Sequence, residues 1–168
     1  MNETQKKLCR TMTNWFLFKA YAIQKLPLAL LTGLRVVELD ESKCVTSVKY
    51  RYLNKNPFRS TYWAVLGMAA ELSTGVYALL ATKGKEESVA VILVATHAEF
   101  VKKATGVTTF TCSNWFEFDK AVGRAIETGE PQVATGKSIG LNSDDETVAM
   151  FEFTWSFKKR DQPKLGTS

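Results

Sequence analysis

One carboxylate is conspicuous because of the residues that surround it. Glu71 lies in a stretch from Ser60 to Thr82 whose other side chains are apolar, small or hydroxylic. An ionised carboxylate in such surroundings is costly unless it is paired or its pKa rises. We therefore expect Glu71 to serve a functional site. The alternative is a buried structural acid that accepts hydrogen bonds from nearby amides or hydroxyls and holds a dimer in register.

Few other residues are suited to chemistry. His97 is the single histidine and lies in a strand-like run, which favours a structural role. No G-x-S-x-G motif is present, which argues against a serine hydrolase of that type. We expect no metal site and no cofactor, and we interpret the three widely spaced cysteines as buried thiols, namely Cys9, Cys44 and Cys112.

The composition is typical of a folded globular chain. Of the 168 residues, 45% are hydrophobic and 23% are charged, so the chain can bury a core. Cysteines without a C-x-x-C pair and the lack of a signal-peptide pattern at the start predict a cytoplasmic protein. The formal net charge of +5 is compatible with nucleic acid, anionic lipid or a phosphate-bearing ligand, and does not choose among them.

A long helix is expected to present Glu71. It should begin after Pro57, with Ser60 or Thr61 as the N-cap, and end near Thr82. Although its length approaches that of a bilayer span, an acid near the middle and a reliance on Ala and Gly predict no membrane span. A helix that is apolar on all sides must be buried by another layer of the fold.

Alternating β-branched and aromatic runs predict about six strands after Leu34. The last of these strands has four large rings on one face, namely Phe151, Phe153, Trp155 and Phe157. Only the long helix is apolar enough to cover that face. We therefore expect an α+β fold in which an antiparallel sheet of about six strands wraps around a long central helix.

Extra helices are predicted in the N-terminal segment and in the C-terminal half. Residues 3–24 have helical spacing and either pack over a sheet edge or act as a lid over an apolar ligand. Residues 114–128 form an amphipathic helix that ends at a glycine. We expect one domain over residues 1–168, with an N-terminal helical segment at 1–33, a core at 34–160 and a tail at 161–168.

The residues around the helix start resemble those of a known family. In small PaaI-like thioesterases an asparagine is followed by a Gly-Thr pair, by His-Gly-Gly and by a carboxylate within the helix. Without gaps, this pattern falls on Asn56, Arg59-Ser60, Tyr62-Trp63-Ala64 and Glu71. A later segment is similar to another strand of that family, with the matching residues Phe100, Lys102, Lys103, Ala104 and Gly106.

The chain is similar to an uncharacterised, domain-of-unknown-function branch of the hotdog group. The helix at 114–128 and the closing strand carry that likeness, and the resemblance as a whole covers roughly residues 25–160. It implies the hotdog fold, in which an antiparallel sheet encloses one long helix. It also implies a homodimer, which can pair further into a tetramer.

The resemblance implies the function of an acyl-CoA thioesterase. In catalytic members the helix carboxylate of one protomer acts on the thioester, while backbone N–H groups at the partner's helix start polarise the carbonyl. By resemblance, Glu71 is the candidate general base at a dimer interface and Asn56 orients the substrate or water. Tyr62, Trp63 and Ala64 then position the substrate and provide the oxyanion hole.

Two functions stay open because the glycines of the motif are Trp63 and Ala64 in this chain. The first is hydrolysis of an acyl thioester, and the second is a non-enzymatic acyl- or lipid-binding hotdog protein. Lys102 and Lys103 are candidates for contact with CoA phosphates, with plain surface solvation as the alternative. A nucleic-acid binder is a weaker third hypothesis, because the alternating pattern of the last strand places its rings in the core.

Overall fold

A six-stranded antiparallel sheet forms one layer of the fold, and all six strands contact a single long helix packed against it. The computed structural model describes residues 1–160, so the predicted tail at 161–168 lies outside the described residues. The strands are β1 (Arg35–Leu39), β2 (Cys44–Lys49), β3 (Val89–Phe100), β4 (Val107–Cys112), β5 (Gln132–Leu141) and β6 (Thr147–Lys159). Their order across the sheet is β1-β2-β4-β5-β6-β3. This arrangement confirms the predicted α+β hotdog fold.

Five α-helices accompany the sheet. They are α1 (Glu3–Thr13), α2 (Trp15–Lys25), α3 (Pro27–Thr32), α4 (Trp63–Thr82) and α5 (Trp115–Thr128), and a short 3₁₀ helix covers Tyr52–Asn54. The long helix α4 is the one enclosed by the sheet, as predicted. It is the only helix among residues 1–160 that is long and apolar enough to cross a membrane, and most of it is buried in the core.

The N-terminal segment is broken at Asn14, where the sequence predicts one continuous helix. The backbone N–H of Asn14 donates to the carbonyl of Arg10 and closes α1. Its side-chain oxygen accepts the N–H groups of Phe16 and Leu17, both at 3.1 Å, and so caps α2. This local hydrogen bonding stabilises a break between two helices that periodicity alone does not reveal.

The start of α4 also differs from the prediction, because its N-cap is Tyr62 and not Ser60 or Thr61. The Ser60 hydroxyl is engaged by Asn56, and the Thr61 N–H donates to the carbonyl of Ala104 at 2.8 Å. Both residues therefore belong to the preceding loop. The Tyr62 side chain accepts no hydrogen bond from the helix start.

The core lies between α4 and the sheet and is dominated by aromatic rings. The predicted aromatic face of β6 is confirmed, since Phe151, Phe153, Trp155 and Phe157 are all buried. Tyr77 of α4 packs against the rings of Trp115 and Phe118 on α5, and its hydroxyl donates to the carbonyl of Asp40 at 2.9 Å. This packing fixes the rotation of α4 relative to the sheet.

Candidate active site

Glu71 lies on the one stripe of α4 that the sheet leaves half open. The partly exposed residues of the helix recur at spacings of three and four, which places them on one face, and they include Ala64, Gly67, Met68, Glu71 and Gly75. Residues on the other faces of α4 are buried. The prediction of a helix buried all round is thus correct except along the stripe that carries the acid.

A cavity of ≈ 260 Å³ opens at Glu71 between α4 and the junction of α2 with α3. Its lining is mostly apolar, with contributions from Leu26, Leu28, Ala29, Leu34, Met68 and Leu72. Lys25 lies in the lining as well and is exposed. The junction of α2 with α3 therefore forms one wall of an apolar cavity. This position is compatible with a lid, one of the two roles that the sequence leaves open for the N-terminal helical segment.

Within residues 1–160 the carboxylate of Glu71 makes no hydrogen bond and no ion pair. Burial alone acts on it and raises the pKa of the Glu71 carboxyl above its ordinary value. A structural acid would be expected to accept hydrogen bonds, which Glu71 does not do. A raised pKa makes the carboxylate a stronger proton acceptor than an ordinary glutamate, which suits a general base.

Three neighbours position Glu71, and the sequence did not identify their role. The indole N–H of Trp155 donates to the Thr74 hydroxyl at 3.1 Å, and that hydroxyl donates to the carbonyl of Glu71 at 3.0 Å. A Cβ on Gly75 would lie 2.7 Å from Glu71 Oε1 and 3.3 Å from the Trp155 ring. Gly75 lies one turn after Glu71 on α4. Because it has no side chain, it leaves the space that the Glu71 carboxylate occupies.

A second cavity, of ≈ 320 Å³, lies at the start of α4. It brings together four of the predicted site residues, namely Asn56, Trp63, Lys102 and Lys103. The Trp63 side chain is 57% exposed and packs edge-on against the ring of Tyr62, with ring centroids 5.9 Å apart. Ala64 is half-buried beside them.

Two backbone amides at the helix start have no acceptor. The N–H groups of Val65 and Leu66 donate to the carbonyl of Tyr62. Within residues 1–160 the N–H groups of Trp63 and Ala64 donate to no protein atom, as is usual for an uncapped first turn. These are the amides that the resemblance assigns to the oxyanion hole, and the helix dipole favours negative charge at this end.

The loop before α4 is held by Asn56. Its side-chain oxygen accepts the N–H groups of Phe58 at 2.9 Å and Ser60 at 3.2 Å, and its amide donates to the Ser60 hydroxyl at 3.1 Å. Arg59, which stands where the resembled motif has glycine, has a φ of 60° in the left-handed region. The loop thus keeps a backbone conformation that suits glycine although the residue has changed.

The two lysines of this cavity are already engaged in weak surface contacts. The ammonium group of Lys102 lies 2.6 Å from a carboxylate oxygen of Glu146. The ammonium group of Lys103 donates to the carbonyl of Phe58 at 3.4 Å. Exposed contacts of this kind contribute little stability.

Glu71 and the helix-start amides are not brought together within one protomer. Trp63 and Glu71 are eight positions apart along α4, which corresponds to about 12 Å. Each lines a different cavity. A single reacting atom cannot contact both groups of the same chain.

The remaining candidates for chemistry lie outside these cavities. His97 is exposed on β3, and its ring nitrogen lies 3.3 Å from the Glu99 carboxylate. The three cysteines are free and buried, as predicted. No group of three or more His, Cys, Asp or Glu side chains suited to a metal ion occurs in the described part of the chain.

Comparisons with known proteins identify the fold and the family. The sequence model of DUF4442, a domain of unknown function, matches residues 15–156. No functionally curated protein matches the sequence.

Solved structures similar to this chain include three bacterial proteins of the hotdog fold. A protein of unknown function and probable thioesterase from Pseudomonas aeruginosa has a TM-score of 0.73 at 16% identity, covering 89% of this chain and 99% of its own. A thioesterase from Haemophilus influenzae has a TM-score of 0.65 at 11% identity, covering 94% and 99%. The PaaI protein of the E. coli phenylacetic acid degradation operon has a TM-score of 0.63 at 14% identity, covering 95% and 97%.

Proposed function

Because the chain belongs to the DUF4442 family, a domain of unknown function, and has the hotdog fold of several thioesterases, we propose that it hydrolyses an acyl thioester with Glu71 as general base. The observation that carries this proposal is the Glu71 carboxyl, which lies in an apolar cavity and makes no hydrogen bond or ion pair within residues 1–160. The apolar lining of that cavity is suited to a hydrocarbon acyl chain. Glu71 is the one carboxylate among the cavity residues.

The reaction requires two copies of the chain. β3 lies at the edge of the sheet, twelve residues long, and pairs only with β6 among the described residues. We propose that two copies pair antiparallel through this edge, so that the sheet is extended and the half-open stripes of the two α4 helices lie side by side. We propose this homodimer because it lets Glu71 of one protomer face the helix start of the other.

The chemistry then divides between the two protomers. Water attacks the thioester carbonyl and transfers a proton to the Glu71 carboxylate. The Trp63 and Ala64 amides of the other protomer donate hydrogen bonds to the resulting oxyanion. Collapse of the tetrahedral intermediate breaks the carbon–sulfur bond, and protonated Glu71 returns its proton to the leaving thiolate.

The other site residues bind or position the substrate. We propose that Tyr62 flanks the bound thioester and that Lys102 and Lys103, which line the same cavity as the helix start, contact the phosphates of CoA. Asn56 acts as a positioning residue, because its side chain is used by the loop that presents the helix start. Three free buried thiols suit a cytoplasmic location, where thiols stay reduced.

A non-enzymatic acyl binder is the second candidate, and the exposed ring of Trp63 is the observation that favours it. The resembled motif has glycine at this position, which leaves the helix-start amides accessible to a carbonyl. An indole ring on the first residue of α4 can shield those amides. A protein of this kind would keep the apolar cavity and lose turnover.

Hydrolysis of a panel of acyl-CoA esters of increasing chain length tests the proposal. Wild type should release free thiol, and Glu71→Gln should lower kcat by about 100-fold or more, a typical contribution of a general base. Glu130→Gln, which alters an exposed glutamate outside both cavities, is the matched control and should leave kcat unchanged.

Two results would contradict hydrolysis through Glu71. One is equal turnover by wild type and Glu71→Gln, and the other is no turnover by wild type with any ester. If the second result came with thermal stabilisation of the protein by a long-chain ester, the acyl-binding function would replace the proposed one.

A further inference from the structure

The helices α2 and α5 share the sequence Asn-Trp-Phe at their starts, with the asparagine as N-cap and the tryptophan as first helical residue. In α2 the sequence continues as Leu-Phe-Lys and in α5 as Glu-Phe-Asp. In both helices the phenylalanine three residues after the tryptophan is buried in the core, as Phe18 and Phe118. The phenylalanine directly after the tryptophan points outward in both, with Phe16 78% exposed and Phe116 74% exposed.

The outer faces of these helices differ in character. On α5 the exposed ring is followed by charged residues, including Glu117, Lys120 and Arg124. On α2 the exposed positions Phe16, Ala20 and Ile23 follow each other at helical spacing and form an apolar stripe.

Exposed apolar side chains also occur elsewhere on α2 and on α3, which contacts α2. Leu17 on α2 and Leu28 and Leu31 on the adjoining α3 are also exposed. We refer to Phe16, Leu17, Ile23, Leu28 and Leu31 as the α2–α3 apolar surface. Folding does not require such exposure, as the charged outer face of α5 demonstrates, so the surface calls for an occupant.

The charge of the segment indicates what that occupant is. Residues 1–34 contain five basic residues and one acidic residue, which gives +4 of the chain's formal net charge of +5, the residues being Lys6, Lys7, Arg10, Lys19, Lys25 and Glu3. Lys19 lies 4.5 Å from the Trp15 ring, and Lys25 lies beside the Glu71 cavity, so two of these cations belong to α2 itself. Contact between two copies through this surface would bring like charges together, whereas an anionic surface complements them.

We infer that the α2–α3 apolar surface docks onto an anionic lipid bilayer. Apolar side chains flanked by lysines are the features of a helix that lies in the membrane interface, with the rings among the acyl chains and the cations near the headgroups. This contact is peripheral, because the one helix suited to span a membrane is the core helix α4.

Docking places the Glu71 cavity at the bilayer. Leu28 belongs both to the α2–α3 apolar surface and to the lining of the cavity. A long-chain acyl group dissolved in the membrane could therefore enter the cavity without crossing water. This statement on substrate class rests on the proposed function, whereas docking itself does not.

Co-sedimentation with lipid vesicles tests the inference. Wild type should pellet with vesicles of equal parts phosphatidylcholine and phosphatidylglycerol, and less with phosphatidylcholine alone or when salt is added before mixing. The double variant Phe16→Ser/Ile23→Ser should bind at least roughly tenfold less, because two large side chains no longer leave water. Phe116→Ser is the matched control, with the same substitution at the same helix position, and should bind like wild type.

The substitutions are at exposed sites, so all variants should unfold at the same temperature as wild type. Failure of wild type to pellet, or equal binding by the double variant, would overturn the inference. Equal binding to neutral vesicles would overturn the choice of an anionic surface. A change in the oligomer mass of the double variant in sedimentation equilibrium would assign the surface to contact between copies.

Vesicle binding also separates docking from hydrolysis. Glu71→Gln should bind vesicles as wild type does, since Glu71 is not part of the α2–α3 apolar surface. Normal docking by a protein without turnover would leave the inference standing and remove the proposed function, while turnover without docking would do the reverse.

Discussion

The start and the middle of α4 carry the two halves of the candidate site, and the fold treats them differently. At the start, the Asn56 turn satisfies its polar groups within the loop, and the two free amides lie at an exposed helix end. In the middle, the Glu71 carboxylate faces apolar side chains and has no protein partner among the described residues. The helix start thus costs the folded state no stability, whereas the buried Glu71 carboxylate lowers it. A residue that is kept despite such a cost is typical of a functional site.

The largest expected effect of the buried Glu71 carboxylate is on the pH dependence of hydrolysis. Because burial raises the pKa of Glu71, the value of kcat/KM should fall about tenfold per pH unit below that raised pKa. The midpoint should lie above the ordinary glutamate value of 4.5. Initial rates of thiol release over a pH series measure it, and a profile that is flat down to 4.5 would remove Glu71 as the base.

Gly75→Ala should disturb the middle of α4 next most strongly. The new Cβ would lie 2.7 Å from Glu71 Oε1, so the carboxylate must move from its position. We expect kcat to fall by about tenfold with little change in KM, since displaced catalytic groups lose transition-state contact.

The control for this substitution is Gly123→Ala on α5, where an added Cβ meets no atom within 4 Å. It should leave kcat unchanged and raise stability slightly, by about 0.5–1 kcal/mol through helix propensity. Equal loss of activity in both variants would show that the loss in Gly75→Ala does not come from displacement of the Glu71 carboxylate.

Glu71→Gln should stabilise the protein at pH 7 while it removes activity. An acid whose folded pKa is raised costs no stability below its unfolded pKa, and the full cost is present once pH exceeds the folded pKa. The thermal midpoint at pH 7 should therefore rise by a few degrees, and this gain should vanish near pH 4. Calorimetry at both pH values checks it, and a lower midpoint at pH 7 would indicate a hydrogen-bonded structural acid.

Asn56→Ala should lower the stability of the protein, in contrast to Glu71→Gln, and its effect should be the smallest of these substitutions. It removes the side chain that accepts two backbone N–H groups of the loop, at a cost of about 1 kcal/mol in unfolding free energy. We expect KM for an acyl-CoA to rise modestly because the helix start is less well held, with kcat nearly preserved. Denaturant unfolding and steady-state kinetics provide the two measurements.

The sequence predicts those parts of the fold that depend on repeated patterns. Alternation through Phe151 to Phe157 identifies the inner face of β6, and a helix without a polar face identifies the core element. The break at Asn14 was missed because side-chain capping competes with an uninterrupted helical pattern. The start of α4 was misplaced because Ser60 is used by Asn56, a contact that depends on the folded loop.

The candidate site was predictable in composition and not in arrangement. A lone acid on an apolar helix drew attention to Glu71, and the motif spacing drew attention to the helix start. The support from Thr74 and Trp155 depends on how β6 is placed against α4, a contact between residues far apart in the chain. The separation of the two cavities follows from helix geometry, because Trp63 and Glu71 are eight positions apart on one helix.

The position of Trp155 makes the site optically visible. Its indole is buried, anchored to Thr74, and lies against the same glycine as the carboxylate of Glu71. Protonation or ionisation of the nearby Glu71 carboxyl alters the fluorescence emission of an immobilised indole. Replacement of cavity water by a hydrocarbon ligand also alters it. The protein therefore contains its own fluorophore for titrating Glu71 and for following ligand entry, once the other three tryptophans are replaced by phenylalanine.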